Sequence, residues 1–386
     1  MIKLTIFGST GSIGEQTLDI ISKSKKGAFE ILALTANSNH KKLAEQALTF
    51  KAKYAVIKDK TKYLELKELL SGTGIEVLSG NEGINRVASL DNDKVVAGIS
   101  GSAGLESTYI SLKNCADVLF ANKESLVCAG QLLKDAEKEG NSKLIPLDSE
   151  HNAIFQVFEK HNRDAIKKII LTASGGPFRT FATEELKNAT PEQALKHPNW
   201  VMGKKVTIDC ATLFNKGLEL IEAYYLFDMP LEQIDVIVHP QSIVHSMVTY
   251  NDGSTLAQLG PPDMRTPITH GLYWPSRYNG RSIVEPLDFS QIKSLDFEEP
   301  KHNLFPSINL CRHAVKLGKS YPAALNAANE VAVDLFLKGE IKFLDIFKLV
   351  ESYLESHKPI EVKSIEELLK LDLEMKREAQ EFLSRT

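Results

Sequence analysis

The stretch Gly8-Ser9-Thr10-Gly11-Ser12-Ile13-Gly14 follows an apolar run, Leu4–Phe7, and opens an amphipathic stretch, Ser12–Lys23. A glycine turn between a strand and a helix lets backbone N–H groups approach a pyrophosphate, and the helix N-terminus adds partial positive charge. The GxxGxxG spacing alone is also compatible with an ordinary glycine-rich loop. Its position on the first strand of a βαβ unit favours a dinucleotide site.

The alternation of apolar runs and helical patterns continues to residue 149. The short apolar runs are Leu4–Phe7, Ile31–Thr35, Tyr54–Ile57, Val95–Ile99, Val118–Ala121 and Leu144–Leu147. Strands alternating with helices are typical of βαβ units. We therefore predict a parallel, doubly wound sheet in this part of the chain.

The remainder of the chain has a different pattern. A helix at Glu150–His161, a strand at Lys168–Thr172 and a long helix near Ala211–Leu226 are expected, followed by strands at Asp235–His239, Ile243–Tyr250 and Thr255–Leu259. The Asn251-Asp252-Gly253 sequence predicts a hairpin between the last two. Proline-rich residues 275–300 resemble a linker, and helical periodicity dominates thereafter.

These patterns predict an α/β fold in four segments. An N-terminal Rossmann-like parallel sheet domain occupies residues 1–149, and a central α+β catalytic domain occupies 150–274. A linker at 275–300 leads to a C-terminal helical bundle at 301–386.

Composition excludes several classes of protein. The 386 residues carry a formal net charge of -4, which leaves no basic excess to bind nucleic acid. The longest uncharged apolar runs are too short to cross a membrane. Four scattered cysteines and an N-terminus without signal-peptide features lead us to expect a cytoplasmic protein.

The end of the second predicted strand bears on the choice of cofactor. An acid there would bind the ribose 2′-hydroxyl of NAD, but the sequence reads Asn37-Ser38-Asn39 and then His40-Lys41-Lys42. Absence of an acid and the adjacent basic groups favour NADP. Alternatively, the two lysines begin a solvated helix face.

Carboxylates form a candidate metal site. Asp148 and Glu150 follow the Leu144–Leu147 strand, where ligands of open α/β sheets bind, and carboxylate oxygens suit Mg²⁺ or Mn²⁺. Asp148 is equally compatible with a helix N-cap. Glu219, four residues after Asn215, is the candidate third carboxylate, although a surface glutamate is the simpler interpretation.

Other segments are candidate substrate contacts. Ser174-Gly175-Gly176 has the small residues of an anion-binding loop, to which Asn215, Lys216 and Lys123 could add donors; a simple turn and solvated lysines are the alternatives. Trp200, in His197-Pro198-Asn199-Trp200, suggests a lid over a ligand or a loop pinned to the core. His239 and His245 are assigned no catalytic role.

Taken together, strings spread along the chain resemble the 1-deoxy-D-xylulose 5-phosphate reductoisomerase family. They are Gly8–Gly14, Ala121–Leu126, Asp148–Gln156, Ser174–Phe178, His197–Trp200, Asn215–Glu219, His239–Ser242, Met264–Pro267 and Ala327–Glu330. The resemblance implies an NADPH- and metal-dependent homodimer that converts 1-deoxy-D-xylulose 5-phosphate into 2-C-methyl-D-erythritol 4-phosphate. This reaction belongs to the non-mevalonate isoprenoid route.

The resemblance also implies roles for individual residues. The implied metal ligands, which act in catalysis with Lys123, are Asp148, Glu150 and Glu219. The implied substrate contacts are Lys123, Ser149, Glu150, Ser174, His197, Trp200, Met202, Cys210, Asn215, Lys216 and Glu219. The expected cofactor contacts are Gly8, Thr10, Gly11, Ser12, Ile13, Asn37, Asn39, Asn122, Glu124 and Gly203.

Two departures from the family pattern stand out. Asp209-Cys210-Ala211-Thr212 has a cysteine where the family usually has a phosphate-binding serine, and a thiol is the weaker donor. Asn37-Ser38-Asn39 lacks a lysine that some members carry near the 2′-phosphate. A plain NADP-dependent sugar-phosphate dehydrogenase and a Rossmann-based nucleotide-sensing regulator remain alternatives at this stage.

Overall fold

A computed structural model describes residues 1–196, 200 and 202–383. The chain divides into two compact units, each built from more than one stretch of chain. Unit 1 contains Met1–Ser125, Gln131–Asn152 and Asp263–Pro286, and unit 2 contains Leu126–Gly130, Ala153–Pro262 and Leu287–Thr386. The predicted four-segment division stays a prediction.

Unit 1 contains a seven-stranded sheet in which every pair is parallel. Its strands are β1 (Ile2–Phe7), β2 (Phe29–Ala36), β3 (Tyr54–Ile57), β4 (Glu76–Ser79), β5 (Lys94–Ala97), β6 (Asp117–Phe120) and β7 (Leu144–Pro146). The strand order β4-β3-β2-β1-β5-β6-β7 reverses between β1 and β5. In such sheets ligands bind at the carboxyl ends of the strands flanking that reversal.

Helices connect these strands. They are α1 (Ser12–Lys23), α2 (His40–Phe50), α3 (Tyr63–Leu69), α4 (Gly80–Ala88), α5 (Leu105–Lys113), α6 (Lys123–Glu139) and α7 (Ser149–Val157). The last two contribute residues to both units. α12 (Arg265–Tyr273) comes from much later in the chain and also belongs to unit 1.

Unit 2 contains a mixed four-stranded sheet and the remaining helices. The strands are β8 (Ile166–Ala173), β9 (Ile234–Val238), β10 (Val244–Tyr250) and β11 (Thr255–Leu259), in the order β11-β10-β8-β9. The helices are α8 (Thr183–Leu186), α9 (Pro191–Ala194), α10 (Lys204–Ala211), α11 (Phe214–Phe227), α13 (Ser307–Leu317), α14 (Tyr321–Lys338), α15 (Asp345–Ser356) and α16 (Ile365–Leu383). Phenylalanines at 214, 305, 336, 343 and 347 pack where α11 meets the C-terminal helices.

The structure confirms the predicted fold class and corrects several elements. The helix expected near Ala211–Leu226 is α11 and begins later, at Phe214, because Leu213 before it has a left-handed backbone (φ 61°). The separate helix α10, which ends at Ala211, was not predicted. The helix expected over Glu150–His161 ends at Val157. β4 adds a seventh strand that the apolar runs did not reveal.

Among the described residues, no helix is both long and apolar enough to span a bilayer.

Candidate active site

Two glycines that follow β1 are required because main-chain atoms lie too close to them to leave room for a side chain. Gly8 has a φ of +74°, and a Cβ there would lie 2.8 Å from the carbonyl oxygen of Gly98, just after β5. A Cβ on Gly14 would lie 2.4 Å from the Cα of Ser9. The turn therefore occupies the reversal point of the sheet, the position predicted for a dinucleotide.

A buried glutamine, which the sequence analysis did not single out, supports this turn. Ser9 donates its hydroxyl to Oε1 of Gln46 (2.8 Å), and Nε2 of Gln46 donates to the carbonyl of Ser9 (3.0 Å). Gln46 lies on the otherwise apolar inner face of α2, beside Leu43 and Ala47. A single polar residue on an otherwise apolar helix face was the signal in the sequence that could have identified Gln46.

The cofactor candidates around the turn are accessible. Gly11 and Ser12 are exposed at the start of α1, and Thr10 and Ile13 are partly buried. No side chain of the described residues caps this helix. The first amide groups of α1 therefore suit an anionic ligand.

The loop after β2 is exposed at Asn37 and Asn39. Asn39 caps α2, because its side chain accepts a hydrogen bond from the amide of Lys42 (3.2 Å). Lys42 itself pairs with Glu15 of α1 (2.5 Å). The basic residues predicted to favour NADP therefore lie on the helix that follows this loop.

Asn122 is buried, and its side chain forms hydrogen bonds with the surrounding main chain. Its Nδ2 donates to the carbonyls of Ile99 and Gly101, both at 2.7 Å, and its Oδ1 accepts from the amide of Ser125 (3.2 Å). These bonds connect the loop after β5 with the start of α6, so the side chain supports the predicted cofactor edge. Glu124, the next predicted contact, is partly buried.

Lys123 and Asp148 meet at the carboxyl ends of adjacent strands. Lys123 follows β6 and Asp148 follows β7, and Nζ of Lys123 lies 2.6 Å from Oδ2 of Asp148. Ser149 donates its hydroxyl to Oε2 of Glu150 (2.7 Å). Unit 1 thus brings together one cation and two carboxylates predicted to act in catalysis.

In unit 2, the Ser174–Gly176 loop follows β8. The amide of Gly176 donates to Oγ of Ser174 (3.2 Å), and both Gly175 and Gly176 have positive φ. A Cβ on Gly176 would lie 2.6 Å from the carbonyl oxygen of Cys210. The structure therefore brings two predicted phosphate-binding segments, Ser174–Gly176 and the end of α10, into contact.

The first turn of α11 carries a buried charged cluster. Glu219 and Lys216 are 1% and 3% exposed, and they form an ion pair one turn apart. The side-chain amide of Asn215 donates to the other oxygen of Glu219. Because a buried carboxylate is costly unless paired, this arrangement maintains a charged Glu219. The interpretation as a surface glutamate is wrong.

Two contacts from the C-terminal helices support the α10–α11 segment. The Asn329 amide of α14 donates to Oδ1 of Asp209 (2.8 Å), whose other oxygen pairs with Lys205 (2.8 Å). Ser307 of α13 donates to the carbonyl of Thr212 (2.6 Å). Asn329 and Ser307 had no predicted role, since no local sequence pattern relates them to residues about a hundred positions earlier.

The predicted lid is described only in part. His197 lies outside the described residues. The partly buried Trp200 has its ring 6.3 Å from that of His245, and Met202 is also partly buried. Gly203 is exposed at the N-terminus of α10. Trp200 thus lies against the unit 2 sheet.

His239 is held by hydrogen bonds at both of its ring nitrogens. Its Nδ1 lies 2.8 Å from the carbonyl of Asp296, and its Nε2 accepts from the amide of Ile243 (3.2 Å). The ring is therefore the neutral tautomer protonated on Nδ1, with both nitrogens used.

A cavity of about 410 Å³ in unit 2 adjoins the Ser174–Gly176 loop. Its polar wall includes Arg179, Gln193 and Lys196, and its apolar wall includes Phe178. A cavity with cationic groups suits a small phosphorylated molecule, which agrees with the substrate contacts predicted for this loop.

Comparisons with known proteins cover nearly the whole chain. The family model described as 1-deoxy-D-xylulose 5-phosphate reductoisomerase matches residues 4–130, and two models of its C-terminal domains match 144–227 and 259–378. The reductoisomerase of Zymomonas mobilis is 49% identical over 97% of this chain and 96% of its own. That of Agrobacterium fabrum is 48% identical over 99% and 96%.

Solved structures agree. That of the Zymomonas mobilis enzyme in complex with NADPH has a TM-score of 0.93 at 47% identity, covering 98% of both chains. A reductoisomerase in complex with NADPH, fosmidomycin and magnesium has a TM-score of 0.91 at 42% identity, again covering 98% of both. These matches confirm the resemblance and favour it over a plain dehydrogenase or a regulator. This chain belongs to the 1-deoxy-D-xylulose 5-phosphate reductoisomerase family.

Proposed function

We propose that the chain carries out its family's reaction with the residues predicted from its sequence. The reaction is the NADPH- and divalent-metal-dependent conversion of 1-deoxy-D-xylulose 5-phosphate to 2-C-methyl-D-erythritol 4-phosphate, in the non-mevalonate isoprenoid route. The observation that carries the assignment is the Lys123–Asp148 pair (2.6 Å) at the same edge of the sheet as the glycine turn. Reactive groups and a dinucleotide site thus share one edge of unit 1.

The proposed ligands of Mg²⁺ or Mn²⁺ are Asp148, Glu150 and Glu219. All three offer carboxylate oxygens, which are the donors these hard ions prefer. A bound divalent ion supplies a Lewis acid that polarises the ketose oxygens, and NADPH supplies the hydride. Lys123 contributes a fixed positive charge next to Asp148, where it balances the carboxylates and contacts substrate together with Ser149.

The proposed phosphate contacts belong to unit 2. Ser174 and Asn215 offer neutral donors, and Lys216 offers a cation. The contact between Gly176 and Cys210 supports grouping the Ser174 loop with Cys210. Phosphate binding at a distance from the reacting carbons supplies energy that can orient the substrate and exclude water. Trp200, Met202 and His197 are proposed as the lid.

NADPH is proposed to bind along the glycine turn and the neighbouring strand ends. The required glycines and the uncapped start of α1 support this. The proposed contacts are Gly8, Thr10, Gly11, Ser12, Ile13, Asn37, Asn39, Asn122, Glu124 and Gly203. For Asn122, whose side chain is engaged by its own backbone surroundings, the contact is proposed through the main chain.

We further propose a cytoplasmic homodimer, as the family resemblance implies. Four free cysteines fit a reducing compartment. Light scattering on the purified protein should give twice the chain mass of 42.8 kDa. A mass that stays at one chain across the working concentration range would contradict the dimer.

The decisive experiment follows NADPH oxidation with 1-deoxy-D-xylulose 5-phosphate, with and without Mg²⁺ or Mn²⁺. Activity should require the metal, and product NMR should show the branched skeleton. Glu150→Gln, which keeps the side-chain shape and removes the charge, should lower kcat by at least about 1000-fold while NADPH still binds. Metal-dependent turnover retained by Glu150→Gln would sink the ligand assignment.

A further inference from the structure

α12 completes unit 1, although it lies more than 100 residues later in the chain than the other elements of that unit. It packs on α1 and on strands β6 and β7. A Cβ on Gly271 would lie 3.0 Å from Leu147 and 3.2 Å from Leu119, so the helix lies close against the sheet there. The family motif at Met264–Pro267 leads into this helix and has no part in the function proposed above.

One side of α12 contacts the helix that follows the glycine turn. The Tyr273 hydroxyl donates to Oγ of Ser24, directly after α1, at 2.8 Å. The guanidinium of Arg265 donates to both carboxylate oxygens of Asp263 and lies 3.7 Å from Asp19 of α1. These contacts fix α12 relative to the proposed NADPH helix.

His270, on α12, contacts the proposed metal-binding segment through Asn152. The side-chain nitrogen of Asn152 lies 3.1 Å from Nδ1 of His270 and 2.8 Å from the carbonyl of Pro146. The main-chain amide of Asn152 donates to the carbonyl of Asp148 (2.8 Å). Asn152 thus connects the end of β7 to the first turn of α7. Asp148 lies between these two elements, and Glu150 lies in that first turn.

The hydrogen bonds determine the state of the His270 ring. Since Asn152 donates, Nδ1 accepts, and the proton of the neutral ring is on Nε2. Burial, reinforced by the charges of Arg277 and Lys94, lowers the pKa of His270 to about 4. The imidazole is therefore neutral near pH 7, as an acceptor must be.

We propose that His270 is a positioning residue for the metal site: its ring holds the Asn152 amide, which sets the direction of Asp148 and Glu150. The inference rests on the proposed metal role of these two carboxylates. Groups that orient metal ligands without touching the metal typically change metal affinity by about 10- to 100-fold when they are removed. Through its contacts with α1, α12 then gives the proposed cofactor helix and the metal segment one common support.

The test compares two substitutions by Mn²⁺ binding to the NADPH complex, measured by electron paramagnetic resonance. His270→Leu keeps much of the side-chain volume but loses the acceptor, and should raise the Mn²⁺ Kd about tenfold. His270→Asn retains an acceptor oxygen near the position of Nδ1, and should stay within about threefold of the parent. The NADPH Kd should change less than about twofold in both, since neither touches the glycine turn.

Tyr273→Phe is the matched control, because it removes a hydrogen bond from the same helix on the side that faces α1. It should lower the unfolding midpoint slightly and leave the Mn²⁺ Kd within about twofold. The proposal is overturned if His270→Leu binds Mn²⁺ normally, or if Tyr273→Phe or His270→Asn weakens binding as much as His270→Leu. Glu150→Gln separates the two levels: normal Mn²⁺ binding there contradicts the proposed ligands, whereas weak binding there with normal binding in His270→Leu contradicts only the role of His270.

Discussion

The glycine turn of unit 1 and the α10–α11 segment of unit 2 both present groups suited to anions, but they are held differently. In the turn, backbone conformation and the absence of Cβ atoms create the shape, as at Gly8 and Gly14. In the α10–α11 segment, buried side chains from distant helices, Asn329 and Ser307, fix the backbone. A site made by local backbone can be found in a short string of sequence, whereas a site made by distant polar contacts cannot.

The largest effect is expected for NADPH affinity when the glycine turn is changed, because this site is formed by local backbone. Gly14→Ala would place a Cβ 2.4 Å from Cα of Ser9 and 2.5 Å from the carbonyl of Gly8, and main-chain atoms cannot move aside cheaply. The turn must open, so the NADPH Kd, measured by fluorescence titration, should rise at least about 100-fold, or about 3 kcal/mol.

Gly339→Ala is the control for general destabilisation. Gly339 ends α14 with a φ of +76°, so an alanine there costs about 1–2 kcal/mol of strain with no contact to the turn. Its NADPH Kd should match the parent's. An equal rise in the NADPH Kd of both variants would mean that the effect of Gly14→Ala comes from general destabilisation of the protein and not from the glycine turn.

Unit 1 also depends on a residue that is distant in the sequence, His270 of α12, and the loss of stability at low pH should show its contribution. The pKa of His270 is lowered by burial from 6.5 to about 4 in the folded protein. Between these values the unfolded chain binds more protons, so stability is full above pH 6.5 and is lost as the pH falls toward 4. The complete loss is about 3 kcal/mol.

His270→Asn removes this titration. Urea unfolding midpoints from pH 7.5 to 4 should therefore fall less steeply in the variant than in the parent. Parallel curves for the two proteins would show that His270 is not the origin of the acid sensitivity. Stabilisation by residues distant in the sequence would then be supported only for unit 2.

For unit 2, the comparison predicts that a residue far from the substrate changes substrate binding. Asn329→Ala removes a hydrogen bond from the side chain of Asp209, which is 1% exposed, at a cost of about 1–3 kcal/mol. Because Asp209 precedes Cys210 on α10, KM for the sugar phosphate should rise about tenfold, with the NADPH Kd unchanged.

Asn326→Ala is the matched control on the same helix. Asn326 is equally buried, but its amide donates to Glu330 of α14 itself. The protein should lose stability while KM stays within about twofold. A KM that rises equally in both variants would mean that α14 acts through general packing rather than through Asp209.

Features formed by local sequence were predicted correctly, whereas features that depend on contacts between distant parts of the chain were missed. The alternation of apolar runs and helical patterns predicted β3 and α1 with their observed bounds, and the family strings supplied the residues that are proposed for the site. The break between α10 and α11 at Leu213 was missed because leucine rarely adopts a left-handed backbone. The bond from Ser307 to the carbonyl of Thr212 beside it comes from a distant part of the chain. The return of Asp263–Pro286 to unit 1 was missed because its partners lie far away in the sequence.

The smallest effect is expected at Cys210, where the chain departs from its family. Cys210 ends α10 beside the Ser174–Gly176 loop, so Cys210→Ser would change one donor and keep the backbone that both segments share. A hydroxyl is the better donor to phosphate, and one such bond contributes about 0.5–1.5 kcal/mol. KM should therefore fall about two- to tenfold at constant kcat. Cys115→Ser changes an exposed thiol of unit 1 and should leave KM unchanged. An unchanged KM in Cys210→Ser would mean that the phosphate is held by Ser174, Asn215 and Lys216 without a contribution from the end of α10.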